Sequence, residues 1–212
     1  MSPDTAAAFA LPLYAVGCAV IFGWRSWQQR RGTGSAGFRG ISGAPGSAPW
    51  WGGVLFVVAL VLAALAPVLE LTGDVTLAVA TWVPIVGLAV TVASFAGVVL
   101  SQSAMGRSWR IGVDAHERTD LVTGGVFALV RNPIFTAMVT ALTGLALMVP
   151  SALSVLAVVA LVAAVQLQVR AVEEPYLLST HDQRYAHYAA RVGRFVPAVG
   201  RLRPHVPEEH TA

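Results

Sequence analysis

The sequence predicts an all-α fold: a polytopic integral membrane helical bundle of about five transmembrane helices with a C-terminal cytoplasmic helix. Three observations carry this expectation. Of 212 residues, 56% are hydrophobic and only 12% charged, where soluble domains carry about 25% charged residues, and the mean hydropathy is +0.67. The apolar residues fall in runs long enough to cross a bilayer core. All 14 basic residues are arginines, and they collect in alternate connections between those runs.

Ala6 to Trp24 is the first run, about 19 residues without a charge, closed by Trp24-Arg25 as an interfacial anchor. It has no basic leader or cleavage site and is expected to be retained. Residues 25–49 read as a Gly/Ser/Pro/Arg-rich linker, too polar to pack a core. Trp50-Trp51 opens a second run to about Leu69, and Glu70–Thr76 forms a short loop. The third run is expected from about Leu77 to Leu100, with Trp82 near its start and Pro84 tolerated close to that same end. Residues 101–132 are polar. Ile134–Val149 and Ser151–Val169, joined at Pro150, read as a tight helical hairpin. The tail then alternates at helical spacing through Tyr176, Leu177, Tyr185, Tyr188 and Val192, and ends loosely after Pro197. A natural division is a three-span region over 1–100 and a second region over 101–212, containing the hairpin at 134–169.

Five spans place residues 25–49, 101–132 and 170–212 on one side, and these hold all 14 arginines. The other side holds Asp4, Glu70 and Asp74. The positive-inside rule then puts the N-terminus outside and the C-terminus in the cytoplasm of a plasma or inner membrane. The pI of about 9.6 thus reads as membrane orientation, and no nucleic-acid partner is expected. The single cysteine, Cys18, supports neither a disulfide nor a thiolate metal site. His116-Glu117 lacks a second ligand pair, and His181, His187, His205 and His210 lie in a polar tail, so no metal site is expected.

The chemistry-bearing stretch is Leu121 to Phe135. Gly124-Gly125 makes a turn, and Asn132 and Pro133 suit the N-cap and first turn of a new helix. Arg131 falls just outside that N-terminus, where backbone donors and the helix dipole favour an anion. The same residues would equally serve a snorkelling arginine and a plain cap. Glu173-Glu174 follows a span directly, and Tyr185, Tyr188 and Arg191 share a helix face near Arg194. Aromatic rings, a carboxylate and cations together suit a nucleotide-like ligand, although an interfacial amphipathic helix would use the same residues.

In order and spacing, these elements resemble the isoprenylcysteine carboxyl methyltransferase family and its phospholipid methyltransferase relatives. The resemblance runs from Gly125-Val-Phe-Ala-Leu-Val-Arg131-Asn132-Pro133-Ile-Phe135 through Arg170-x-x-Glu173-Glu174-x-x-Leu177 and Tyr185-x-x-Tyr188. It closes with Val192-x-Arg194-Phe195-Val196-Pro197, and covers roughly residues 105–197. It implies a membrane methyltransferase that uses S-adenosylmethionine on a lipophilic or lipidated acceptor in contact with membrane lipid. Carried over by position, Gly124, Gly125, Leu129, Arg131, Asn132, Pro133, Phe135, Glu174, Tyr185, Tyr188, Arg191 and Arg194 would bind the cofactor. Arg170, Glu173 and Glu174 would take the catalytic roles. Asn132 and Phe135 stand where the family has histidine and tyrosine, which removes a titratable ring and a hydroxyl. Two other classes share parts of the pattern. A sterol or steroid reductase would bind NADPH, with Arg107, Arg110 and Arg118 on its 2′-phosphate, and a non-enzymatic membrane protein would use the basic tail to hold a partner. The methyl acceptor and the oligomeric state stay open.

Overall fold

A computed structural model describes residues 1–34, 41, 43–73, 76–106 and 120–202. Expected features at 107–119 and 203–212, among them Arg107, Arg110, Arg118, His116, His205 and His210, lie outside the described residues. The described chain is helical, with two isolated bridges, Val130–Gly193 and Val196–Val199, and no strand. Helices α1 (Pro3–Cys18) and α2 (Arg25–Thr33) run as one rod through a π-turn at Ala19–Trp24. Then follow α3 (Ala48–Thr72), α4 (Val83–Met105), α5 (Pro133–Met148), α6 (Ala152–Gln168), a second π-turn at Val169–Glu173, and α7 (Glu174–Arg191). Among the described residues, four helical rods are long and apolar enough to cross a membrane, and α5 is a shorter apolar helix. The all-α membrane bundle is therefore as the sequence predicts.

The interior is built from small residues. Lipid is as apolar as leucine, so helices in a bilayer associate by close backbone approach and not by the hydrophobic effect. Ala7 and Ala10 of α1, Ala59, Ala63 and Ala66 of α3 and Ala157 of α6 are all buried in one core with Leu142, Leu145 and Met148 of α5. Helix α4 packs along α5, and α3 along α6. At the α4–α5 crossing, a Cβ on Gly87 would stand 2.6 Å from the Gly144 carbonyl oxygen. The Thr91 hydroxyl donates within α4 to Gly87 O at 2.8 Å and reaches Ala141 O of α5 across the crossing at 3.4 Å.

Two elements depart from expectation. The linker begins later than Arg25, because the first helix continues through α2. Trp24 stacks on Trp27 at 4.8 Å, Arg31 lies 3.8 Å over the Trp27 ring, and a left-handed Gly34 ends the helix. The third span begins at Val83 and not at Leu77. Residues 76–80 are outside any helix, the Leu77 amide donates to Pro150 O at 2.7 Å, and Pro84 falls in the first turn, where its missing N–H costs nothing. Glu70 is buried at the end of α3 and accepts from the Thr76 amide at 2.9 Å and hydroxyl at 3.0 Å. The first π-turn also has a use: Gln102 Nε2 donates to Ile21 O at 3.1 Å, and Arg25 donates to the C-terminal carbonyls of α4 at Gln102 (3.1 Å) and Gly106 (2.7 Å).

Candidate functional site

The lobe beyond α6 is organised by one carboxylate between two guanidiniums. Helix α6 passes through the second π-turn into α7 without a break, which turns Glu174 inward at the edge of the apolar bundle. Arg131 reaches it from the residue before the Asn132-Pro133 helix start, and Arg194 from the chain after α7. Arg131 Nη2 lies 2.7 Å and Arg194 Nε 2.8 Å from Glu174 Oε1, and Arg194 Nη2 lies 2.8 Å from Oε2. The Arg131 side chain is only 1% exposed, those of Glu174 and Arg194 8% and 14%. The hydrogen bond from Arg194 to Glu174 is the chief reason its guanidinium is pushed to a higher pKa. One carboxylate against two guanidiniums leaves the cluster with a net positive charge.

Arg131 is held on every other side as well. It donates to Ala189 O at 3.2 Å and Gly200 O at 2.9 Å, and the Tyr185 ring centre is 5.9 Å from its guanidinium carbon. Its Nε is buried and has no hydrogen-bond partner among the described residues. Arg131 is thus the post around which the lobe is assembled, and not a snorkelling side chain.

The chain after α7 is firmly tied. Amides of Arg131 and Asn132 donate to Gly193 O (2.8 Å) and Arg194 O (3.1 Å), laying the two segments side by side. The Arg194 amide donates to Val199 O at 2.7 Å and the Leu202 amide to Ala189 O at 3.0 Å. Gly193 permits this turn, since a Cβ there would come within 2.8 Å of the Ala198 amide, and Gly200 has φ +74. The sequence reading missed these two glycines and took the segment after Pro197 as loose. Two glycines seven residues apart around an Arg-Phe-Val-Pro turn were the available signal.

The expected site residues separate into two groups. Arg131, Glu174, Arg194, Tyr185 and Tyr188 come together, but the tyrosines face inward, 2% and 5% exposed, edge to face at 6.1 Å. Tyr188 donates its hydroxyl to Phe127 O at 2.6 Å and so fixes the turn that Gly124-Gly125 opens. Asn132 stands at the N-cap, yet its side chain donates to Arg194 O at 3.1 Å and does not cap α5. Pro133 is buried at the first helical position, and Phe135 packs into the membrane core. Gly124, Gly125, Leu129 and Arg191 are exposed and outside the cluster. Leu129 points outward from the turn at 64% exposure, and three residues carry Arg191 about 60° round the helix from Tyr188. Glu173 is half-buried in the π-turn. Arg170, one helical turn before Glu174, is exposed, with Nε donating to Gln166 Oε1 at 3.0 Å.

A bundle of helices long and apolar enough to span a bilayer, with a charged, tightly bonded lobe at one end of its hairpin, is that of an integral membrane protein. A model of the phospholipid methyltransferase family matches residues 82–184. Over that region, which holds α4, α5, α6, Arg131 and Glu174, the chain is similar to this family of membrane methyltransferases. The match ends before Tyr185, Tyr188, Arg191 and Arg194. No curated protein matches the chain significantly.

Proposed function

We propose that the protein is an S-adenosylmethionine-dependent methyltransferase acting on a lipophilic or membrane-embedded acceptor. Its N-terminus would lie outside a plasma or inner membrane and its C-terminal lobe in the cytoplasm. The observation that carries the reading is the net-positive Arg131–Glu174–Arg194 cluster at the membrane edge, inside or beside the family-matched region. The residues present suit the cofactor's amino-acid end. The Arg131 Nε is a buried donor without a partner among the described residues, and the first amides of α5 have no acceptor earlier in their helix. Both favour a carboxylate. When bound, the cofactor supplies a methyl group already activated on a positively charged sulfur.

The protein's part is alignment and exclusion of water. Arg131 and Arg194 hold Glu174, and through it the hairpin end, in one arrangement. Glu173, half-buried in the π-turn, brings negative charge near the positively charged donor, while Glu174 is spent on pairing Arg131 and Arg194. Arg170, exposed at the end of α6, orients an anionic or polar acceptor head that enters sideways from the bilayer. A carboxylate acceptor is already ionised and takes the methyl group without losing a proton, so the asparagine and phenylalanine at 132 and 135 are compatible with methyl transfer to such an acceptor.

The test is methyl transfer in proteoliposomes containing a total lipid extract and methyl-tritiated S-adenosylmethionine. The reading expects label in the organic phase with wild-type protein and its loss with Arg170→Gln. Labelling equal to protein-free vesicles across bacterial, plant and animal lipid extracts would overturn it.

A further inference from the structure

The turn that closes the lobe presents apolar side chains where a solvated loop would present polar ones. Val196 and Val199 are 54% and 62% exposed, and Leu129 on the adjoining turn is 64% exposed. Pro197 is exposed between them. The bridge from Val130 to Gly193 holds the two turns next to each other. Their height relative to the bilayer follows from α5. Thr136, in the first turn of that apolar helix, donates its hydroxyl to Phe195 O at 2.8 Å, and the Phe195 side chain packs against the apolar core of the helix bundle. The Val196–Val199 turn therefore sits level with the point where α5 enters the membrane. It is fixed there, since Arg194 N donates to Val199 O at 2.7 Å and Val199 N to Val196 O at 3.1 Å. Arg191 and Arg201 are exposed on either side of it.

We infer that Leu129, Val196 and Val199 form a docking surface that sinks into the headgroup layer, with Arg191 and Arg201 on anionic lipid phosphates. An apolar tip flanked by cations is the composition that binds an anionic interface. The lobe is thus held down on the leaflet, a property independent of which methyl acceptor the protein uses.

Site-directed spin labelling of the full chain tests this. With Cys18→Ala as background, a nitroxide is placed at Val199→Cys, with a reference label at Arg184→Cys on exposed α7. Each is reconstituted in phosphatidylcholine vesicles with and without phosphatidylglycerol. The inference expects the label at 199 to gain oxygen accessibility and lose accessibility to an aqueous nickel chelate when phosphatidylglycerol is present, while the label at 184 stays aqueous. Arg201→Gln should diminish that shift, and an unchanged melting temperature in detergent confirms that the labelled chain is folded. Nickel accessibility at 199 equal to that at 184 in both bilayers would overturn the inference. Protection identical in the two bilayers would overturn the anionic-lipid assignment. Protection that follows the protein-to-lipid ratio would assign the surface to a second copy of the chain instead.

Discussion

Glu174→Gln tests the cluster most severely. The carboxylate accepts three bonds from two guanidiniums, and glutamine keeps the shape while removing the charge. Its amide nitrogen must then face an arginine N–H, donor against donor, and Arg131 is left almost wholly buried with its charge uncompensated. Removing one partner of a buried pair costs about 3–5 kcal/mol. Arg194 is partly exposed and can recover some hydration, which places the expected loss near the lower end, about 3 kcal/mol. For a chain of this size each kcal/mol moves the melting temperature by about 2–4 °C, so an apparent fall of about 6–12 °C is expected. Scanning fluorimetry in one detergent at one heating rate reads it, the fixed rate mattering because unfolding of such proteins is commonly irreversible. A variant melting within about 2 °C of wild type would refute the view that this pairing holds the lobe together.

Three further substitutions separate structure from chemistry. Arg170→Gln, at an exposed side chain bonded to Gln166, should change stability by less than about 0.5 kcal/mol yet lower methyl transfer in the vesicle assay. Gly87→Ala should lower the melting temperature, because its Cβ would sit 2.6 Å from Gly144 O and 2.8 Å from the Met148 amide. Forcing two backbones apart costs about 1–3 kcal/mol. Tyr188→Phe leaves the buried Phe127 carbonyl without its 2.6 Å donor, a loss of about 1–3 kcal/mol. Faster amide hydrogen exchange over 125–130 should accompany it.

What the sequence made legible follows from what periodicity and residue chemistry encode. Long apolar runs placed the hairpin within a residue of α5 and α6, and Asn132-Pro133 marked the start of α5 because proline tolerates only that end of a helix. Helical spacing gave α7, but not the break at Asp182, whose φ of 43 no composition signal announces. The π-turns were invisible for the same reason: an inserted residue leaves apolar runs apolar, so α2 and the α6–α7 junction could not be distinguished from linker and loop. Arg131, Glu174 and Arg194 were each singled out, yet their mutual pairing depends on residues 43 and 20 positions apart meeting in space. The inward turn of Tyr185 and Tyr188 likewise depends on what packs against them, namely Phe127 and the returning chain at 192–202. A single sequence shows that face as aromatic without showing whether it meets lipid, ligand or protein.

The central claim is tested most directly by calorimetric titration of the detergent-purified full chain with S-adenosylhomocysteine, with NADPH in a parallel cell. Saturable micromolar binding of S-adenosylhomocysteine and none of NADPH is the predicted result. Binding of NADPH alone, or of neither by protein whose melting transition is intact, would contradict the account.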